Sequence, residues 1–211
     1  MTTDETSSSG RLGLPAAPAG LSLVQDLLNT AGLPGTPTVD LLDDEVAAQA
    51  WLDTSLRTWG EQTGQPTPLV SLAEADLAAL RASRDRVRGW LSGDDDEAEQ
   101  PLAARVSSHG GRLTYRPQGR GAAAVASLVH LELLLASHAG TLARLKLCLN
   151  PACGAAFYDL SRNSARVWHD MKTCGNTLNL RASRARRRGT AEPDAAPSDS
   201  AGRAAPATLT R

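Results

Sequence analysis

Apolar residues recur at helical spacing in four stretches of the chain. Leu21, Leu23, Val24, Leu27 and Leu28 form the first, and their i, i+3, i+4 pattern predicts a helix. A Gly/Pro loop over 29–37 follows. Asp43 or Asp44 can then cap a helix through Ala47, Ala50, Trp51 and Leu52, ending near Gly60. The third helix is expected to start at a Ser71–Glu74 capping box and to hold Leu77, Leu80, Val87, Trp90 and Leu91 on one face. The fourth runs from Ala122 to Ala139, with Val125, Leu128, Val129, Glu132 and Leu135 on overlapping faces. Between the last two, residues 102–106 and 113–116 flank Ser108-His109-Gly110-Gly111-Arg112, a hairpin signal whose glycines supply positive φ. Leu142, Leu145 and Leu147 then alternate directly into Cys148.

This pattern predicts one mainly helical α+β domain over 21–147. Residues 1–20 and 189–211 are rich in Ser, Gly, Pro and Ala and are expected to be disordered tails. Aromatic residues make up only 3% of a chain that is 41% hydrophobic, so the core must rest on Leu, Val and Ala, which favours helices. No run of about 18 consecutive apolar residues exists, and residues 1–20 lack the apolar segment of a secretory signal. No membrane partner and a reducing, cytoplasmic location are therefore the expectation.

The net charge of −1 conceals an asymmetry. Residues 1–140 hold 18 acidic residues against 10 Arg, whereas 141–190 hold 8 Arg and 2 Lys against Asp159 and Asp170. A basic segment on an acidic body points to an anionic partner.

The three cysteines all fall between 148 and 174. Cys148 and Cys153 are a C-x4-C pair, and His169 and Cys174 an H-x4-C pair. Two short-range pairs are what a tetrahedral zinc site needs, and Asn150-Pro151 with Gly154 can provide the tight turn between the first two ligands. A disulfide would leave one cysteine over in a reducing compartment. A Cys–His nucleophile, with Cys174 or Cys148 beside His169, lacks an identifiable oxyanion hole or orienting carboxylate. Free buried cysteines are the simplest alternative. His109, His130 and His138 have no ligand spacing and read as surface or partly buried polar residues.

The residues around these pairs narrow the choice. The first C-x4-C, Phe157, Asp159, Ser161-Arg162-Asn163, Arg166, Trp168, Met171 and Cys174-Gly175-Asn176 together resemble the bacterial CGNR zinc finger. Upstream, Leu21 to Ala31, Asp40-Leu41-Leu42 and Ala50-Trp51-Leu52 are similar to the ABATE domain that accompanies this finger in its family. The resemblance implies Zn²⁺ held by Cys148, Cys153, His169 and Cys174, and a stress-linked bacterial transcription regulator. Two positions depart from the family: His169 stands where Cys is usual, and Thr177 where the motif ends in Arg. Cys3His is an ordinary structural zinc set. Its imidazole needs a partner for the second nitrogen, for which Asp159 is the candidate. Trp168 is expected to pack over the metal.

Asn176 can cap an Arg-rich helix in which Arg181, Arg184 and Arg188 share a face, with Arg186 and Arg187 beside them. With Arg162, Arg166 and Lys172 from the finger, these residues are the candidate DNA contacts, because guanidinium suits phosphate and guanine. The expected architecture is thus an α+β domain over 21–147 followed by a finger with a basic helix over 148–188. The expected function is DNA-binding regulation rather than catalysis, with an effector of unknown chemistry and a homodimer as further partners. The alternative is a zinc-stabilised module that docks protein and not DNA.

Overall fold

The computed structural model describes residues 7–33, 38–94, 99, 102–177 and 180. They form an α+β fold of helices and two small antiparallel sheets. Helix α1 (Leu21–Leu28) is only two turns long, yet all eight of its residues are buried. It lies at the centre, in contact with α2 (Glu45–Thr63), α3 (Glu74–Ser92), α4 (Gly121–His138) and strand β4 (Ala156–Tyr158). Strands β1 (Ala104–His109) and β2 (Arg112–Pro117) pair as the expected hairpin, with Gly110 and Gly111 both at positive φ. Strand β3 (Leu145–Leu147) pairs antiparallel with β4, Leu145 opposite Tyr158 and Leu147 opposite Ala156.

The starts of α2, α3 and α4 are set by acidic side chains. Asp44 accepts the Ala47 N–H at 2.8 Å and so, of the two candidates, is the cap of α2. The Ser71–Glu74 capping box is not the device used at α3. There Asp76 reaches back to the Ala73 N–H at 2.9 Å, and its other oxygen accepts the Ala122 N–H at the start of α4, also at 2.9 Å. One carboxylate thereby satisfies two helix termini, a role that local sequence spacing does not reveal.

The core is aliphatic around two tryptophans. Trp51, Leu52, Leu56 and Trp59 of α2 pack with Leu23, Val24 and Leu27 of α1 and Val125, Leu128 and Val129 of α4. By length and composition α4 could cross a membrane. The expectation from sequence was that no run of about 18 apolar residues exists. Here α4 is a core helix, with Leu128 and Val129 fully buried. Its Glu132 is also buried, accepting from Trp59 Nε1 at 2.7 Å and Tyr115 Oη at 2.6 Å. Burial pushes the Glu132 carboxyl above its ordinary pKa, against the lowering effect of the two donors.

The expected disorder of residues 1–20 is corrected from Ser7 onward. Ser7–Ser9, Leu14 and Ala17 are buried. The Ser9 N–H donates to Asp26 at 3.0 Å, the Ala17 N–H to Gln25 at 2.6 Å, and Arg11 to the carbonyls of Asn29 and Thr30 at 3.0 and 2.7 Å. A Ser/Pro/Gly-rich segment cannot make a core of its own. It is ordered here because the polar side chains of α1 satisfy its backbone. Residues 181–211, including the expected C-terminal tail, lie outside the described residues.

Helix α1 also grips the strand that carries the cysteine turn. The Asn29 carboxamide donates to the Ala156 carbonyl and accepts the Ala156 N–H, both at 2.9 Å. Gln25 donates to the same carbonyl at 3.3 Å. Replacing Asn29 with Ala leaves two buried backbone groups without this partner, and is expected to cost about 2–4 kcal/mol in equilibrium denaturation. Glu132→Gln keeps an acceptor for Trp59 and Tyr115 and removes a desolvated charge. It is expected to be neutral or stabilising at pH 7. Because the raised folded-state pKa means the native protein binds more protons, wild-type stability gains on Glu132→Gln as pH falls toward the ordinary glutamate value of about 4.3. Urea titrations of both proteins at pH 7 and pH 5 measure that convergence.

Candidate metal centre

The β3–β4 hairpin presents the first two cysteines. Its ladder continues through the Cys148 N–H to the Ala155 carbonyl at 2.9 Å. Within the loop, the Cys153 and Gly154 N–H groups donate to the Asn150 carbonyl at 2.8 and 3.1 Å, and Asn150 Oδ1 accepts the Ala152 N–H at 3.1 Å. Gly154 turns the chain at φ +64°. The expected Asn-Pro-to-Gly turn is therefore present, and it brings both thiols to one side of the loop.

The second pair arrives by a longer route that Asp159 organises. Its side chain is fully buried and accepts from the Ser161 N–H at 2.9 Å, the Arg166 N–H at 2.8 Å and Lys146 Nζ at 2.9 Å. Burial alone would raise this carboxyl's pKa, but the hydrogen bonds prevail and hold it well below the usual aspartate range. The Leu149 N–H then donates to the Val167 carbonyl at 3.0 Å, tying the segment before His169 to the first cysteine turn. Asp170 caps the final turn, Met171–Gly175, by accepting the Thr173 N–H at 2.9 Å. Asn176, expected to cap the Arg-rich helix that follows, is itself in helical conformation.

The result is a cluster of Cys148, Cys153, His169 and Cys174 whose ligand atoms all lie within 4.8 Å of one another. His169 Nδ1 is 3.4 Å from Cys153 Sγ and 3.6 Å from Cys174 Sγ. A tetrahedral zinc with sulfur at about 2.3 Å and nitrogen at about 2.0–2.1 Å separates such donors by roughly 3.5 Å. The donor set fits the metal chemically as well. Burial, followed by the neighbouring Cys148 and Cys174, pushes the Cys153 thiol up to about 12, so a cation is what makes three adjacent thiolates tenable. Burial lowers the His169 pKa and favours the neutral imidazole that binds metal.

Asp159 is not the orienting partner of His169, because its oxygens are committed to Lys146, Ser161 and Arg166. Arg166 braces this segment instead. Its guanidinium donates to the His169 carbonyl and lies 5.6 Å from the centre of the Phe157 ring. Trp168 packs against the cysteine cluster, as expected. A side chain at Gly175 would meet both Trp168 and Met171, which explains the smallest residue there.

Sequence reasoning missed two contributors. Leu12 and Leu14 of the N-terminal segment pack on the cysteine cluster. Arg88 of α3 donates to the Gly154 carbonyl at 2.5 Å and to the Leu28 carbonyl at 2.7 Å, close enough for its charge to be felt at Cys153. Three thiolates with Zn²⁺ leave one net negative charge, which Arg88 opposes. The apolar Leu12-x-Leu14 spacing, and Arg84 and Arg88 on the stripe of α3 that also holds Leu77, Leu80 and Leu91, were the available signals.

Of the candidate DNA contacts, Arg162, Arg166 and Lys172 are exposed on the finger. Arg181, Arg184, Arg187 and Arg188 lie outside the described residues. Thr177, where the related motif has Arg, turns its hydroxyl back to the Thr173 carbonyl at 2.6 Å.

Residues 144–187 match the family model of the CGNR zinc finger. No curated protein matches the chain. The match and the four converging ligands identify a Cys3His zinc site. Four protein donors would fill a tetrahedral zinc and leave no open coordination position, as in structural sites. His169→Cys is expected to retain one zinc per chain, and His169→Ala to lose it. Zinc affinity is expected to fall with falling pH, by up to about tenfold per unit for each thiol that must release a proton. Elemental analysis and chelator competition between pH 6 and pH 8 measure both effects.

Proposed function

We propose that this chain is a DNA-binding transcription regulator that contacts phosphate through its zinc finger and the arginine-rich segment that follows. The observation that carries this reading is the exposure of Arg162, Arg166 and Lys172 on the finger, shortly before five further arginines in the sequence. A closed zinc site supports a structural metal and a non-catalytic protein. The metal's role is then to hold the 159–175 segment so that its basic side chains are displayed without the entropy cost of ordering a free loop. Reduced thiols are needed for that role, in keeping with a cytoplasmic location. The ABATE-like region would supply assembly or effector sensing, and the stress-linked role implied by the family resemblance belongs to the same proposal.

A second reading is favoured by apolar exposure on the finger. Leu149, Leu160 and Met171 are each more than half exposed. A surface of that kind suits a protein partner, and the finger would then be a docking module that does not bind DNA.

Salt dependence separates the two. Engaging about four to six of Arg162, Arg166, Lys172, Arg181, Arg184, Arg186, Arg187 and Arg188 makes log K fall against log salt with a slope of roughly −4 to −5. The triple change Arg184→Ala, Arg187→Ala, Arg188→Ala is expected to flatten the slope by up to about three and to weaken all duplexes alike. Fluorescence anisotropy on random and genomic duplexes, with zinc present, measures the slope. Absence of binding at low salt selects the protein-docking reading.

A further inference from the structure

Away from the zinc centre, a cleft of about 520 Å³ opens between α3 and α4. Its volume lies in the range of small-molecule sites. Val87, Leu133, Leu134 and Leu142 make apolar walls. Trp90 lines the cleft and is 46% exposed, which leaves a large aromatic face uncovered. The same indole and Leu142 also line a second cleft, of about 490 Å³, that reaches the finger at Leu149 and Val167. Elsewhere, tryptophans 51 and 59 are buried in the core and Trp168 packs on the cysteine cluster.

The polar groups on the α3–α4 cleft are mainly acceptors. Asp85 and Asp94 contribute carboxylates. Asp85 accepts from Arg84 Nε at 3.2 Å but remains 66% exposed at its side chain. His130 Nδ1 lies 2.7 Å from the Ala126 carbonyl, to which it donates. Ser137 adds a hydroxyl. Arg86 is the cation on the lining and has an interaction of its own.

An open aromatic face, aliphatic walls and two carboxylates form the complement of one ligand class. We propose that the α3–α4 cleft binds a small organic cation with an aromatic or apolar body, seated against Trp90 with its charge toward Asp85 and Asp94. The aromatic face attracts a cation through its quadrupole, and the apolar walls remove the body of the ligand from water. An organic anion of the same shape would gain the same burial but would meet the carboxylates and the negative ring face.

The test uses the zinc-loaded full chain and three probes of similar shape: tetraphenylphosphonium, tetraphenylborate and neutral triphenylphosphine oxide. Tryptophan fluorescence and calorimetry read affinity and stoichiometry. The cation is expected to bind at 1:1, at least about tenfold tighter than the borate. Asp85→Asn with Asp94→Asn is expected to weaken the cation by about tenfold and to leave the neutral probe unchanged, whereas Trp90→Ala weakens both. Asp94→Asn alone, which spares the Arg84 contact, is expected to cost the cation about threefold. Unchanged zinc content and melting of the variants exclude a folding defect as the cause. Borate binding as tightly as the cation overturns the proposal. Cation affinity indifferent to both Asp changes, or no cation binding at about 1 mM, does the same.

Discussion

The Asn29 carboxamide is the hinge on which the architecture turns. It replaces a neighbouring strand for Ala156, satisfying both of that residue's backbone groups from the end of a buried helix. An unmade hydrogen bond in a dry interior costs more than a made one contributes. The pairing therefore fixes where β4 sits relative to α1. Ala156 and Tyr158 consequently join the main core, while Phe157, on the opposite face of the same strand, joins Cys148, Cys153 and Cys174. Alternation along three residues places the helical core and the zinc centre on two sides of one strand.

From that placement the finger is not an appendage. Arg88 links α3 to the cysteine turn through Gly154 and to α1 through Leu28. Leu12 and Leu14 cover the metal site from the N-terminal side. Metal binding and the packing of α1 share the same strand and the same leader segment, so each supports the other. A metal that merely closed a loop would need none of these contacts. The exposed basic side chains of the finger are thereby carried on a segment anchored to the core.

Much of this was legible in the sequence. The four helices follow from apolar periodicity, the β1–β2 hairpin from Gly110-Gly111, and the four zinc ligands from paired x4 spacing. Some of it was hidden, because the interactions responsible are long-range. Residues 7–20 look disordered by composition, and Gln25 and Asp26 of a helix read for its apolar face, with Asn29 from the expected Gly/Pro loop, help to order them. Asp159 was assigned to His169 by composition, whereas the fold spends it on three donors of the 146–166 loop. Asp76 displaced a plausible local capping box because its second oxygen serves α4. In the first and last cases a polar side chain answers a backbone group distant in sequence, which no local pattern encodes.

The integration of metal site and core is tested most directly by hydrogen–deuterium exchange of the full chain with zinc bound and after zinc removal. The account predicts that losing zinc accelerates exchange not only across 148–174 but also in α1 and in residues 9–17. Faster exchange confined to 148–174, with α1 and the N-terminal segment unchanged, would contradict it.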